Sequence, residues 1–413
     1  QAALAPGLNT IKEVVATGDY TVEFHLKSPS ALAIYQVLEP NLTIPIVPHE
    51  YYELSAADQV DWHNVIGCGA YFLSDYVRGV SLTMSANPLY YGVDPRYDKP
   101  LPYLDEIRAI VIPDMATSIA ALRTGKIDIL ADAREHASLG QAKSIAQTHP
   151  DIMQFSWASN GMGLTYKWGA APFTDIKVRK ALQYAINIPE IANDYYQGTV
   201  DAKPVSLASP LTGTWYNPYD EWPADLQEEY TYDLEKARTL LEEAGLPNGF
   251  DTTVIASTSD DTSLLQVLKS YLAEIGVNVT IDARDMMTER NLVNGGQYEG
   301  MCYASVSGFT SPITDIAQSF YSQKLERIGG GGGVVDATYD EFIPRLNTAT
   351  TEADAQVILK EADIYALRQH WTALTVPSLT PQFLQGWIKG YSGEFRWGCN
   401  GWSYFYRIWS TKK

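Results

Sequence analysis

Cysteine is scarce in this chain: Cys68, Cys302 and Cys399 are the only three in 413 residues. Three scattered cysteines exclude a disulfide framework and a cysteine-rich zinc site, and they allow one bridged pair at most. No run of 18 apolar residues occurs, so no segment reads as a membrane-spanning helix. Basic clusters are missing too, with 30 Lys and Arg against 49 Asp and Glu and a formal net charge of −19. Phosphate backbones are bound through grouped Lys and Arg, which excludes nucleic acid as a partner; the acidic excess reads as solubility. The six histidines, His25, His49, His63, His136, His149 and His370, never take the His-Glu-x-x-His spacing of a zinc hydrolase. The segment GYSG at Gly390 to Gly393 falls short of a nucleophile elbow, because Glu394 stands where glycine is needed. No secretory or lipoprotein leader is visible at Gln1, so export is not legible there.

What is present is a globular composition, 46% apolar and 19% charged, over a length that suits two to three domains at roughly 150 residues each. The chain holds 27 Tyr and 10 Trp. Most of these rings belong to cores, since aromatic side chains dominate buried area. The remainder are candidates for lining a ligand cleft, where apolar walls carry a few placed polar groups.

Strand and helix signals alternate along the chain. YTVEFHLK, Tyr20 to Lys27, alternates at period two and predicts a strand. Asp114 caps a helix carrying Ile119 and Leu122 that stops at Gly125, and Ile127 with Ile129 begin a strand. Asp175 caps a second helix whose Val178, Ala181, Leu182, Ala185 and Ile186 make one buried face, leaving Lys177, Arg179 and Lys180 pointing to solvent. From Tyr232 to Asp282 the signals are clearest: a helix from Asp233 to Gly245, the strand FDTTVIAS, a helix ending at Gly276 and the strand VNVTID. Strand, helix, strand with short turns predicts a parallel, right-handed crossover. Thr351 heads a helix running to about Trp371, and YFYRIWST suits a closing strand. Gly329 to Gly333 lack the Lys-Ser or Lys-Thr of a phosphate loop and read as a surface loop.

VIGCGAYFLSDYVRGVSLTMSANPLYYG, Val65 to Gly92, resembles the signature of the family 5 extracellular solute-binding proteins, the oligopeptide, dipeptide, nickel and cello-oligosaccharide receptors of ABC importers. That family has a Gly-Thr-Gly-Pro-Tyr turn and an Asn-Pro-x-Tyr-Trp segment; here Gly67, Cys68, Gly69, Ala70 and Tyr71 form the turn, and Asn87, Pro88, Tyr90 and Tyr91 fill the segment. The similarity continues in order through AALRTGKIDIL, APFTDIKVRKALQYAIN, YDLEKARTLLEEAGLPNGF and LAEIGVNVTID. It implies an α/β, bilobal periplasmic-binding-protein-like fold with mixed sheets, flanking helices and a ligand cleft between lobes. Residues 1–163 are expected to be lobe one, incomplete because its N-terminal part is missing; 164–380 lobe two; and 381–413 a return to lobe one. The implied protein is a monomer in the periplasm or outside the cell, associated with the membrane through the permease subunits of its importer. It is not an enzyme and needs no cofactor or metal.

CYASVSGFTSPITD, Cys302 to Asp315, mixes small hydroxyls with two aromatics and carries no charge before its last residue. It reads as a ligand-facing strand-to-helix loop. In the peptide receptors that this chain resembles, the matching loop holds an aspartate that pairs with the peptide α-ammonium. Aligned on Pro312, that position is Gly308, with Ser305, Ser307 and Phe309 around it. Loss of the acidic anchor leans the expected ligand towards a neutral oligosaccharide over an oligopeptide. Tyr166, Trp168 and Tyr303 join Ser305, Ser307, Gly308 and Phe309 as expected ligand-binding residues, the rings stacking and the hydroxyls hydrogen-bonding. A carbohydrate hydrolase with its carboxylates in an aromatic cleft, or a fragment that no longer binds ligand, stay open as alternatives.

Overall fold

The crossover predicted from Asp233 to Asp282 is the unit around which the larger sheet is built. The computed structural model describes residues 11–33, 48–131, 137–159, 161–207, 210–305, 320–322, 333–391 and 405–412. The first helix of this region, Leu234–Glu243, is capped by Asp233, whose carboxylate accepts from the Lys236 N–H. Gly245 takes φ 78° just past its end, a left-handed turn that glycine adopts without strain. Strand β11 (Phe250–Ser257) then leads through helix Thr262–Ala273, capped by Asp261, into β12 (Val277–Arg284), which pairs with β11 in parallel register from Phe250 with Val277 to Ser257 with Arg284.

β13 (Met301–Ser305) pairs in parallel with the other edge of β11. β10 (Met162–Tyr166) is antiparallel to β13 and to β14 (Thr372–Leu374), giving a mixed five-stranded sheet in the order β12-β11-β13-β10-β14. Helix Met286–Asn294 connects β12 towards β13 and packs Val293 with Ile255, Tyr298 and Cys302. Helix Glu352–Gln369 buries Ala355, Leu359, Ala362, Ala366 and Leu367 in a core that also takes Trp215, Trp222, Tyr230, Tyr339 and Trp371. β1 (Ile11–Gly18) and β2 (Thr21–Leu26) form a separate antiparallel hairpin.

Contacts divide the chain into two compact units, one of residues 1–43 with 158–379 and one of 44–157 with 380–413. The second unit holds two three-stranded sheets. β3 (Tyr71–Val77), β4 (Ser81–Ala86) and β7 (Glu106–Ile110) form an antiparallel meander that turns Met84 and Ile107 towards the core. β8 (Ile129–Leu130), β15 (Ser378–Leu384) and β9 (Met153–Ser159) form the other, packed by helices Met115–Arg123 and Leu139–Thr148 through Ile119, Leu122, Ala142 and Ile145. The chain passes between the units within β9 and within β15, and residues 1–43 group with the unit that carries the five-stranded sheet.

Two expectations need correction. Arg179 does not face solvent: it is buried, and its guanidinium donates to the carbonyls of Phe173 and Gln369 at 2.7 and 2.8 Å. Lys180 likewise turns in to meet Glu229 at 2.5 Å, while Lys177 stays half-exposed beside Glu243. Among the described residues the closing strand is also short: Trp409–Ser410 pair with Ile388–Lys389, while Phe405 to Arg407 form a turn of 3-10 helix.

Candidate functional site

In a sheet with parallel strands, loops after the carboxyl ends are where ligands are bound, because those loops are free to vary while the strands hold the frame. At one end of the five-stranded sheet lie the carboxyl ends of β11, β12, β13 and β14 and the start of β10. The chain is drawn tight there. A Cβ on Gly161 would collide with the Val376 carbonyl, the Thr375 hydroxyl donates to the Met162 carbonyl, and the Gln183 side chain bonds both the N–H and the carbonyl of Leu374.

Polar groups gather at this end. After β11 the turn Thr258 to Asp261 places Asp260, whose carboxylate accepts from the Ser257 N–H at 2.9 Å, and Asp261, which accepts the Tyr195 hydroxyl at 2.7 Å and caps the following helix. Glu289, on the helix after β12, lies 3.8 Å from the Cys302 thiol, which donates to it. Burial pushes the Asp260 carboxyl up to about 6, with the neighbouring Asp261 charge adding to the effect. Burial, with the Asp260 charge behind it, raises Glu289 to about 7. Burial also pushes the Cys302 thiol well above its ordinary range.

The expected site residues fall in different places. Tyr303 is buried at 1% exposure, with its hydroxyl donating to the Asp261 carbonyl at 3.1 Å. Ser305 ends β13 two residues on, on the same face by strand alternation, and is half-buried. Tyr166 and Trp168 sit at the other end, since Met162 pairs with Ser305 while Tyr166 pairs with Met301. Four residue steps separate these ends, roughly 13 Å along the strand, so a ligand touching both would need the length of several residues. There the Tyr166 ring is buried against Phe173, ring centroids 5.1 Å apart, and Trp168 is 38% exposed with its ring edge-to-face on Trp371. Ser307, Gly308 and Phe309 lie outside the described residues. The turn carboxylates Asp260 and Asp261 were missed in the sequence; the Ser-Asp-Asp run directly after a strand that enters a crossover was the signal for them.

The family described as "Bacterial extracellular solute-binding proteins, family 5 Middle" matches residues 2–326. The chain belongs to this family. Among curated relatives, the glutathione-binding protein GsiB of Shigella boydii serotype 4 (strain Sb227) is 28% identical over 396 residues, covering 89% of this chain and 69% of that protein. GsiB of Escherichia coli (strain K12) is 30% identical over 304 residues, 68% of this chain and 54% of the relative, so the matched region spans about half of that protein's length. Among solved structures, DppA from Helicobacter pylori in complex with the peptide STSA superposes over 100% of this chain and 77% of its own, with a TM-score of 0.81 at 22% identity. AgaA from A. tumefacien R10, in complex with agropinic acid, gives a TM-score of 0.78 at 22% identity over 100% of this chain and 80% of its own. The mixed sheets and flanking helices of this family 5 chain are thus those of periplasmic binding proteins.

Proposed function

We propose that this chain is the ligand-capturing receptor of an ABC importer, taking up a short peptide in the periplasm or outside the cell and presenting it to the membrane permease, with the two compact units as its lobes. The family match over residues 2–326 carries this reading. Relatives named for binding glutathione and a structural neighbour bound to a peptide favour a peptide-class ligand. The described part of the candidate end adds to this. It holds Asp260, Asp261 and Glu289, and a ligand bearing an ammonium group gains from carboxylates where a neutral sugar does not. The expectation of a neutral oligosaccharide rests on Gly308 with the hydroxyls and ring of Ser305, Ser307 and Phe309 around it, and the relatives give it no support. The named relatives are binding proteins, which favours a receptor that returns its ligand unchanged over a hydrolase.

Mass spectrometry of ligand released from the purified protein tests the class directly. Titration calorimetry then compares glutathione and short peptides, each with a free and an acetylated amine, against cello-oligosaccharides. Micromolar binding that needs the free amine is expected. Binding of cello-oligosaccharides with no response to any peptide overturns the reading, as does hydrolysis of the bound ligand.

A further inference from the structure

Helix Glu352–Gln369 is followed by a buried histidine. His370 follows that helix in the left-handed conformation, φ 49°, and is 1% exposed. Its ring stacks on Tyr230 with centroids 4.8 Å apart and planes 16° apart, and the Tyr230 hydroxyl is tied to the Leu367 carbonyl at 2.8 Å. Nε2 lies 2.8 Å from a Glu229 carboxylate oxygen. A carboxylate only accepts, so Nε2 carries the proton and the neutral ring leaves Nδ1 as a bare lone pair. Nδ1 is buried and meets no hydrogen-bond partner among the described residues.

Among the described residues, the charged groups facing this ring come from three elements. Helix Ile176–Tyr184 supplies Lys180, on the other oxygen of Glu229 at 2.5 Å, and Arg179, which donates to the Gln369 carbonyl next to His370. Glu229 and Tyr230 come from the turn that follows helix Ala224–Glu228. The helix of His370 itself supplies Arg368, held on Asp225 at 2.7 Å. One carboxylate, Glu229, therefore already answers Lys180 before the imidazole takes a proton. The residue after His370 opens an edge of the sheet: the Trp371 carbonyl accepts from the Tyr166 N–H, and Thr372 to Leu374 are β14.

We propose that His370 is an acid-sensitive latch holding the edge strand β14 onto the five-stranded sheet. A second proton would sit on Nδ1, where no acceptor waits, and would place a third cation beside Lys180 and Arg179 around a single carboxylate. The folded joint accepts only the neutral ring, so acid loosens it. Burial, and after it the charges of Lys180 and Arg179 against the pull of Glu229, hold the imidazole below its ordinary value of 6.5, consistent with this direction.

Thermal unfolding of the whole protein and of His370→Gln, followed from pH 7.5 to pH 5, reads the latch. The other titrating groups are shared, so their difference isolates His370. The wild type is expected to lose melting temperature relative to the variant as pH falls through 6.5, and a difference constant with pH overturns the proposal. Should the variant fail to fold, NMR of the wild type decides. The His370 ring is expected to stay neutral well below pH 6.5 while amide exchange at Thr372 to Leu374, corrected for its intrinsic pH dependence, rises with acid. A ring that titrates near 6.5 with unchanged protection refutes the latch.

Discussion

The two ends of the five-stranded sheet are built from different chemistry. At one end the Tyr166 ring stacks on Phe173, which meets Phe250 edge-to-face, and Trp168 meets Trp371 edge-to-face. At the other, the turn after β11 and the helix after β12 gather Asp260, Asp261 with Tyr195, and Glu289, which reaches back to the Cys302 thiol near the start of β13. Rings close-pack and exclude water, so the first end is a frame whose geometry is costly to alter. Carboxyls held half out of water are poor packing material, and two of them are raised towards neutrality. A fold that tolerates such groups at one end of a sheet keeps stability and chemistry apart, as expected where a rigid scaffold presents variable loops.

The comparison breaks most visibly at the aromatic end. Tyr166→Ala would remove a buried ring from its stack on Phe173 and leave a cavity, for which about 3–5 kcal/mol of stability is expected to be lost. Denaturant unfolding measures this. If the end is only frame, the folded fraction should bind short ligands with affinity near that of the wild type.

The acidic end should answer to pH in the opposite sense to His370. A carboxyl raised in the folded state is stabilising while it stays protonated, below its unfolded value, and that contribution is lost as pH rises through the folded value. For Glu289, raised from 4.5 to about 7, the window is pH 4.5 to 7; for Asp260, raised from 3.8 to about 6, it is pH 3.8 to 6. Glu289→Gln and Asp260→Asn are therefore expected to be more stable than the wild type at pH 8, by on the order of 1 kcal/mol once solvent screening of these partly exposed groups is allowed for. The advantage should vanish near pH 4, as thermal unfolding across that range would show. Equal gains at both pH values would mean that the substitution relieves packing, not charge.

Much of this frame was legible in local signals, because caps and stops act within a few residues of where they are written. Asp114, Asp175, Asp233 and Thr351 each cap the helix predicted for them, and the parallel crossover follows from its short turns. Arg179 was misread because helical spacing says which side a residue is on, not that the Phe173 and Gln369 carbonyls lie within reach of its fork. The placement of the site residues depends on a longer relation. Tyr166 and Ser305 stand at opposite ends only because β10 pairs antiparallel with β13 across more than a hundred residues of chain, a register that no local pattern encodes.

A smaller effect sharpens the acidic end. Tyr303→Phe would delete the hydroxyl that donates to the Asp261 carbonyl and leave the ring in place, with an expected cost of about 1 kcal/mol. Since that carbonyl sits at the cap of helix Thr262–Ala273, hydrogen exchange should rise first in the opening turn of that helix. Uniform destabilisation without that local rise would make the bond incidental to the turn.

The smallest stability change, and the most discriminating, belongs to Trp168. Its ring is 38% exposed and touches Trp371 edge-to-face at 6.1 Å, so Trp168→Ala should cost under about 1 kcal/mol of stability. Affinity is the informative readout. A dipeptide or tripeptide held beside Ser305 is too short to reach a ring that lies beyond Tyr166, itself roughly 13 Å along β10 from the partner of Ser305, and its binding should be unchanged. A ligand long enough to span the sheet would lose about 1–3 kcal/mol if the ring stacks on it at a desolvated contact. Calorimetry with a length series of peptides on the wild type and Trp168→Ala separates these outcomes. Loss of affinity that begins only beyond a certain peptide length would measure how far the site extends from Ser305, whereas loss with the shortest ligand would place the ring beside the anchor and erase the division between the two ends.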